Sequence, residues 1–295
     1  MDYLVTLKPE FRPRSLALVS RSTKIFVPAG LEIEQGIVHI QADLLRPWNF
    51  EFAATHVLHL AADGSASAYS EKAADEFQIM ASHLANWTRR QERPKVFLAS
   101  SGACFGTPTI SAGVISKSER EGASKSIFVD SRFAAEEILR GAASDGSIDL
   151  RIGRLFSFIG KHMYYKSQYA VPAFIRMAME EKSIQVNGNP ETTRSYLSAP
   201  DMSEWIHSAF GVNVGESVLS IGSEVPVTMA ELAGYIAAKT GAEVNFLHPL
   251  TQGDYYVADN EMTRQVLQVE ERATWQTSID RYLDEYGEMR AGERG

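Results

Sequence analysis

The chain has 295 residues, 44% of them hydrophobic, which is enough for one large core with a smaller lobe attached. Its formal net charge of −8 and isoelectric point near 5.5 give no electrostatic reason to expect nucleic acid or an anionic membrane as a partner. The single cysteine, Cys104, excludes an intrachain disulfide, and the absence of a signal-peptide pattern or a membrane-length apolar run predicts a soluble, cytoplasmic protein.

Short apolar runs alternate with helical patterns along the chain. The pattern predicts strands at residues 2–6, 24–28, 37–41, 56–60, 95–99, 149–156 and 218–221. Helices are predicted at residues 12–22, 71–91 and 128–143. Near-continuous apolar strands are typical of buried parallel sheets, in which right-handed βαβ units are the default connection. We therefore predict an α/β fold with a doubly wound parallel sheet.

One segment after a predicted strand carries a recognisable motif. It reads Ser-Ser-Gly-Ala-Cys-Phe-Gly over residues 100–106, and the helix that follows has Phe128 and Arg132 four residues apart, then the pair Ala135-Glu136. This order resembles the active-site core of extended short-chain dehydrogenase/reductases of the nucleotide-sugar epimerase/dehydratase family. In that family the strand ends in a Ser-Ser-x-x-Val-Tyr-Gly-like segment and the helix carries Tyr-x-x-x-Lys. By this resemblance Ser101 is the catalytic serine, while Phe128 and Arg132 replace its tyrosine and lysine partners.

These two replacements remove the family's proton-transfer apparatus. The phenyl ring of Phe128 has no proton to give or take, and a general acid or base typically contributes about 10²–10⁴-fold in rate. Arg132 keeps the positive charge of the lysine but is a planar fork that does not deprotonate. An alternative interpretation is that the two are only an apolar anchor and a solvated residue on an amphipathic helix.

The resemblance also implies a Gly-x-x-Gly-x-x-Gly turn after the first strand, where a pyrophosphate meets a helix N-terminus. Residues 7–11 read Leu-Lys-Pro-Glu-Phe instead, and no glycine precedes Gly30. The change adds bulk, removes an amide donor at Pro9 and places the Glu10 carboxylate near the phosphates. NAD(P) is therefore expected to bind weakly or not at all. Alternatively, residues 1–14 are a rearranged terminus that meets no phosphate.

Two other segments resemble the cofactor side of the family. Residues 40–44 (Ile-Gln-Ala-Asp-Leu) imply that Asp43 lies near adenine. Residues 56–62 (His-Val-Leu-His-Leu-Ala-Ala) imply that the dinucleotide crosses Ala61 and Ala62. Both segments are equally compatible with core packing, and neither distinguishes NAD from NADP.

The C-terminal half resembles the family's nucleotide-sugar lobe. Residues 154–160 follow its Arg-Leu-Phe-Asn-Val-Tyr-Gly pattern, with Ser157 at a substrate-contacting position. Residues 193–201 place Arg194 at the family's diphosphate-binding arginine, with Tyr196 in the same expected binding set. The alternative for Arg194 is a surface salt bridge. The resemblance implies a Rossmann-like domain of residues 1–156 and about 195–225, with a smaller C-terminal substrate-binding lobe of about 157–194 and 226–290.

Two functions remain open at this stage. The first is a nucleoside diphosphate sugar-binding protein that has lost hydride transfer and serves as a sensor or partner subunit. It would form a homodimer, or a heterodimer with a related protein, through helices 71–91 and 128–143. The second is an active epimerase or reductase that uses Ser101 with unconventional proton donors such as His162, Tyr164 or Tyr165. A metal site is not expected, since the seven histidines form no ligand-spaced cluster.

Overall fold

The computed structural model describes residues 12–23, 33–61, 70–105, 109–111, 114–116, 126–161, 163, 169–213, 218–248 and 251–292. The strands are β1 Leu16–Ser20, β2 Ile37–Gln41, β3 His56–His59, β4 Lys95–Ser101, β5 Thr109–Ser111, β6 Val114–Ser116, β7 Asp149–Leu155, β8 Phe158–Ile159, β9 Ser183–Val186, β10 Thr193–Arg194, β11 Leu197–Ser198, β12 Val218–Ile221, β13 Val227–Thr228, β14 Glu243–Phe246 and β15 Tyr255–Tyr256. The helices are α1 Glu71–Thr88, α2 Ile127–Ser144, α3 Ala170–Glu180, α4 Ala199–Gly211, α5 Met229–Thr240, α6 Glu261–Leu267 and α7 Trp275–Gly292, and a 3₁₀ helix spans Gly102–Phe105.

The chain divides into two compact units. The first unit comprises Met1–Ser101, Lys125–Gly153 and Ser203–Leu219, and the second comprises Gly102–Ser124, Arg154–Met202 and Ser220–Gly295. This is an α/β fold with parallel strand pairs, as the sequence predicts.

A four-stranded sheet has the order β12-β7-β4-β3, and β3 runs parallel to β4 with His56 opposite Lys95. The strands β1 and β2 form a separate parallel pair. Helices α1 and α2 pack against each other, and each begins at a serine whose side chain accepts an amide hydrogen bond, Ser70 and Ser126 respectively. Every three or four residues α1 buries an apolar side chain, so it covers the core of the first unit with one face.

The second unit has its own core between α3, α5 and α7. Its fully buried side chains include Ile175, Ile184, Leu232 and Ile279. Helix α5 starts with a capping box between Thr228 and Glu231. It ends at Gly241 in the left-handed conformation with φ 69°.

One predicted element is wrong. The helix expected at residues 12–22 is replaced by β1, because Leu16–Ser20 pairs in parallel along its whole length with Ile37–Gln41. The strands expected at residues 2–6 and 24–28 lie outside the described residues. The other predicted strands and helices are confirmed, with ends shifted by at most three residues.

Candidate active site

The carboxyl end of β4 carries Ser101, which is half-buried. The next residue, Gly102, opens the 3₁₀ helix in the second unit, and a Cβ atom added there would lie 2.6 Å from the ring of Phe156. Within that helix Cys104 is fully buried and forms no disulfide. A side chain at position 102 would therefore require the ring of Phe156 to move.

Helix α2 places charged side chains on its buried face. Its buried residues include Val129, Arg132, Glu136 and Leu139, which recur at the three- and four-residue spacing of one helix face. Buried Ser100 donates a hydrogen bond of 2.5 Å from Oγ to Oε1 of Glu136. Since Ser100 precedes Ser101, this bond ties the end of β4 to α2 at the position of the candidate serine.

Arg132 is held between two aromatic rings. Only 6% of the residue is exposed, and its guanidinium carbon lies 3.5 Å from the ring centroid of Phe77 and 4.7 Å from that of Phe128. Both distances are within the range of a cation–π interaction, which is strongest where water is excluded. The interpretation of Arg132 as a solvated surface residue is therefore wrong.

The predicted cofactor-side residues are described only in part. Asp43 is exposed just beyond the end of β2, and its Oδ1 accepts the amide hydrogen of Leu45 at 3.1 Å. Ala61 is half-buried after β3. Ala62, residues 7–11 and the alternative proton donors His162, Tyr164 and Tyr165 lie outside the described residues. A role for any of them stays a prediction.

The predicted substrate-side residues lie in the second unit. Arg194 is half-buried on β10, and its Nη1 donates a hydrogen bond of 2.8 Å to the carbonyl oxygen of Thr193. Among the described residues, no carboxylate lies within ion-pair distance of Arg194. Ser157 is half-buried, and its carbonyl oxygen accepts the amide hydrogen of Leu197 at 3.1 Å.

Tyr196 is a buried residue, and its role in binding stays a prediction. It is 6% exposed and belongs to the core of the second unit. Burial raises the pKa of Tyr196 to about 12, and the positive charge of Arg194 offsets part of that rise. The side chain is therefore a neutral phenol at physiological pH.

Tyr256 is a neighbour of Arg194 that the sequence motifs do not indicate. It stands opposite Arg194 in the parallel pair of β10 with β15, and its ring centroid lies 5.6 Å from the guanidinium carbon. The ring of Tyr256 is also 4.7 Å from that of Phe156. The aromatic contact supports the guanidinium plane of Arg194 without using its N–H donors.

Comparison with models of protein families tests the resemblance to short-chain dehydrogenase/reductases. A model of the NAD dependent epimerase/dehydratase family matches residues 16–222, more than half of the chain. The chain belongs to this family. A search of curated proteins finds no match.

Solved structures of epimerases share the fold. An epimerase from Methanothermobacter thermautotrophicus has a TM-score of 0.77 at 14% identity, covering 98% of this chain and 96% of that chain. The UDP-glucose 4-epimerase of Thermotoga maritima, solved with UDP-glucose, has a TM-score of 0.73 at 15% identity, covering 93% and 91%. The UDP-glucuronic acid 4-epimerase of Bacillus cereus, solved with UDP-glucuronic acid and NAD, has a TM-score of 0.69 at 17% identity, covering 85% and 82%.

Two described residues of this epimerase/dehydratase family member differ from those that the resemblance places on the nicotinamide side of NAD. At the position of the family tyrosine Phe128 offers no hydroxyl, and the Arg132 guanidinium stacks on Phe77. The helix expected to follow the phosphate-binding turn is the strand β1.

No helix of the described chain is long and apolar enough to cross a membrane, and no group of three metal-ligating side chains occurs among the described residues.

His59 is a second buried polar group beside Arg132. It is 4% exposed, its ring is stacked on that of Phe77 at 6.0 Å, and the described part of the chain supplies no hydrogen-bond partner to its Nε2. Burial disfavours the charged imidazolium, and the positive charge of Arg132 adds to this effect. Together they lower the pKa of His59 to about 4.

We expect the free energy of unfolding to decrease as the pH falls, because of the lowered pKa of His59. Its pKa is lowered in the folded state from 6.5 to about 4, so the unfolded chain binds the proton first as the pH falls. The contribution of His59 is fully present above pH 6.5 and is lost between pH 6.5 and 4, by roughly 3 kcal/mol in total. Denaturant unfolding at several pH values measures this, and His59→Phe should flatten the profile. The exposed His248→Gln is the control; an unchanged slope in His59→Phe would contradict the prediction.

Proposed function

We propose that the chain binds a nucleoside diphosphate sugar but has lost the standard NAD(P) hydride-transfer machinery of its family. The observation that carries this proposal is the packing of Arg132, which lies between Phe77 and Phe128. The family places a titrating phenol and a lysine ammonium at Phe128 and Arg132. Here one position lacks an ionisable group, and the other holds a cation whose plane faces aromatic rings.

The substrate side supports retention of binding. Arg194 combines a permanent charge with several N–H donors in a fixed plane, which suits the recognition of a diphosphate. One hydrogen bond to Thr193 and the contact with Tyr256 orient that plane. The proposed protein is therefore a sensor of nucleotide sugars or the partner of an active relative, in the cytoplasm. The dimer through α1 and α2 belongs to this proposal, and the exposed Ile79 and Ile127 on these helices are available to it.

The competing function is an active epimerase or reductase that uses Ser101. The half-buried position of Ser101 at the end of β4 suits a group that polarises a sugar hydroxyl or carbonyl. Cofactor content distinguishes the two functions. Protein that carries NAD(P) after purification, released by denaturation and detected by absorbance, would support the enzyme.

The first test of the proposal is a titration with NADH followed by its fluorescence. We expect no saturation in the micromolar range, because residues 7–11 lack the glycines that let a pyrophosphate approach backbone amides. A UDP- or dTDP-sugar should raise the melting temperature in the same preparation, which shows that the protein is folded and competent to bind. Micromolar NADH affinity would contradict the loss of cofactor binding.

A further inference from the structure

A basic cavity of about 500 Å³ lies in the first unit, and the active-site motif does not use it. It is formed where β4 and β7 begin and where α4 ends. Its lining residues are Arg93, Lys95, Asp149, Arg151, Gly211, Val212 and Asn213. Lys95 opens β4 and Ser101 ends it, so at about 3.3 Å per residue the cavity is about 20 Å from the candidate serine.

The charges of the cavity favour an anion. Three cations and one carboxylate line it, which gives a net charge of +2. The C-terminal end of α4 contributes about −0.5 of a charge, so about +1.5 remains. Asp149 pairs with Arg151 at 2.5 Å and is included in this balance.

Arg151 is a fixed part of the cavity wall. It is 2% exposed, and its guanidinium donates to the carbonyl oxygens of Ala209 and Val212, each at 2.8 Å, and of Asp149 at 2.9 Å. The bonds to Ala209 and Val212 satisfy carbonyl groups at the end of α4. Arg151 therefore contributes to the positive electrostatic potential of the cavity rather than donating a hydrogen bond to a ligand.

Lys95 and Arg93 retain free donors. The Nζ of half-buried Lys95 donates to the carbonyl oxygen of Phe210 at 2.6 Å, which leaves two of its three N–H groups. The exposed Arg93 guanidinium makes no hydrogen bond or ion pair with the described residues. Its backbone has φ 47°, a left-handed conformation that is costly for a residue with a Cβ and is found preferentially at functional positions.

We propose that this cavity binds a small phosphate monoester, with Lys95 and Arg93 donating to the phosphate. A monoester carries a charge of about −1.5 to −2 at neutral pH, which matches the remaining positive charge of the cavity. The volume lies within the roughly 300–1,000 Å³ of small-molecule sites and leaves room for an organic group beside the phosphate. The proposal is independent of nucleotide-sugar binding, because Arg194 lies in the other unit.

The pKa of His56, the first residue of β3, is sensitive to the positive charges that line the cavity. Burial lowers its pKa from 6.5, and the charges of Lys95 and Arg151 and that of His207 lower it further. An anion in the cavity would screen Lys95 and Arg151. Binding should therefore raise the pKa of His56, which NMR titration of its imidazole resonances measures.

The test is calorimetric titration with glycerol 3-phosphate, and separately with inorganic phosphate and with glycerol. The protein is the whole chain carrying Arg194→Ala, so that the proposed diphosphate-binding arginine does not contribute to the heat. We expect saturable heat with both phosphates, none with glycerol, and a rise in the pKa of His56. Lys95→Met should weaken binding about 10-fold or more, the scale of a lost charged hydrogen bond. Arg93→Asn, which tolerates the left-handed backbone, should weaken it about 2- to 5-fold even if Lys95→Met destabilises α4.

Lys72→Met is the matched control, since Lys72 is an exposed cation on α1 outside the cavity lining. If the Arg194→Ala protein without further substitutions gives no heat at tens of millimolar phosphate, the proposal is overturned. Equal weakening by Lys72→Met and Arg93→Asn would also overturn it, because the binding would then follow net charge alone.

Discussion

Replacement of Arg194 by alanine should weaken the binding of a UDP- or dTDP-sugar by roughly 1.5–3 kcal/mol, the scale of a hydrogen bond to a charged group. This corresponds to about a 10- to 100-fold higher dissociation constant. Arg194 is half-buried with one internal hydrogen bond, to Thr193, so little of its donor capacity is used within the described protein. Calorimetric titration of the wild type and of Arg194→Ala measures the difference.

Two variants separate charge from geometry in this experiment. Arg194→Lys keeps the charge but loses the planar fork, so its affinity should lie between those of the wild type and Arg194→Ala. Arg176→Ala removes an arginine of the same unit that pairs with Glu181 at 3.6 Å, and it should leave the affinity unchanged. Equal losses in Arg176→Ala and Arg194→Ala, or no heat from any nucleotide sugar or free nucleoside diphosphate, would contradict a binding role for Arg194.

The strands of the main sheet could be predicted because each is a short run of apolar residues. Val96, Phe97 and Leu98 on β4 are fully buried, so every position of that run faces protein and the sequence pattern is continuous. Helices α1 and α2 could be predicted for the complementary reason, since their buried positions recur at helical spacing.

The strand β1 could not be predicted from its own sequence. Residues 12–22 contain apolar positions compatible with either a helix or a strand, and the outcome depends on pairing with Ile37–Gln41, which is distant in the chain. Ser20 Oγ and His39 Nε2, 3.1 Å apart, add a side-chain contact to that pair. Tertiary pairing of this kind decides strand formation more than local propensity does.

The candidate site, too, was predictable from the sequence only in part. The Ser101, Phe128 and Arg132 positions could be found from motif spacing, but the burial of Arg132 depends on Phe77, which lies on another helix. Tyr256 beside Arg194 depends likewise on the pairing of two-residue strands. Such contacts join residues 55 or more positions apart, and no local pattern encodes them.

The two departures from the family motifs can be compared by their expected effects on the rate of hydride transfer. A missing general acid or base costs about 10²–10⁴-fold in rate, whereas the positioning of reactants can contribute about 7–11 kcal/mol. Hydride transfer needs the nicotinamide held against the sugar carbon, so the proposed failure to bind the dinucleotide would cost more in rate than the loss of the tyrosine. Among the described residues 12–23 the chain forms β1 at Leu16–Ser20, so this segment offers no helix N-terminus at the place expected for the pyrophosphate.

The double variant Phe128→Tyr/Arg132→Lys should therefore remain inactive although it restores both family residues. It should also be less stable by about 1–2 kcal/mol, because a lysine ammonium loses the stacking of the guanidinium on Phe77. Assays of NAD(P)H formation and of epimer exchange across a panel of nucleotide sugars measure the first effect, and denaturant unfolding measures the second. Phe133→Tyr/Arg140→Lys makes the same two changes elsewhere on α2 and should show neither turnover nor that destabilisation. Turnover by Phe128→Tyr/Arg132→Lys, or by the unmodified protein, would show that the dinucleotide is held by residues other than 7–11 and that hydride transfer has been retained.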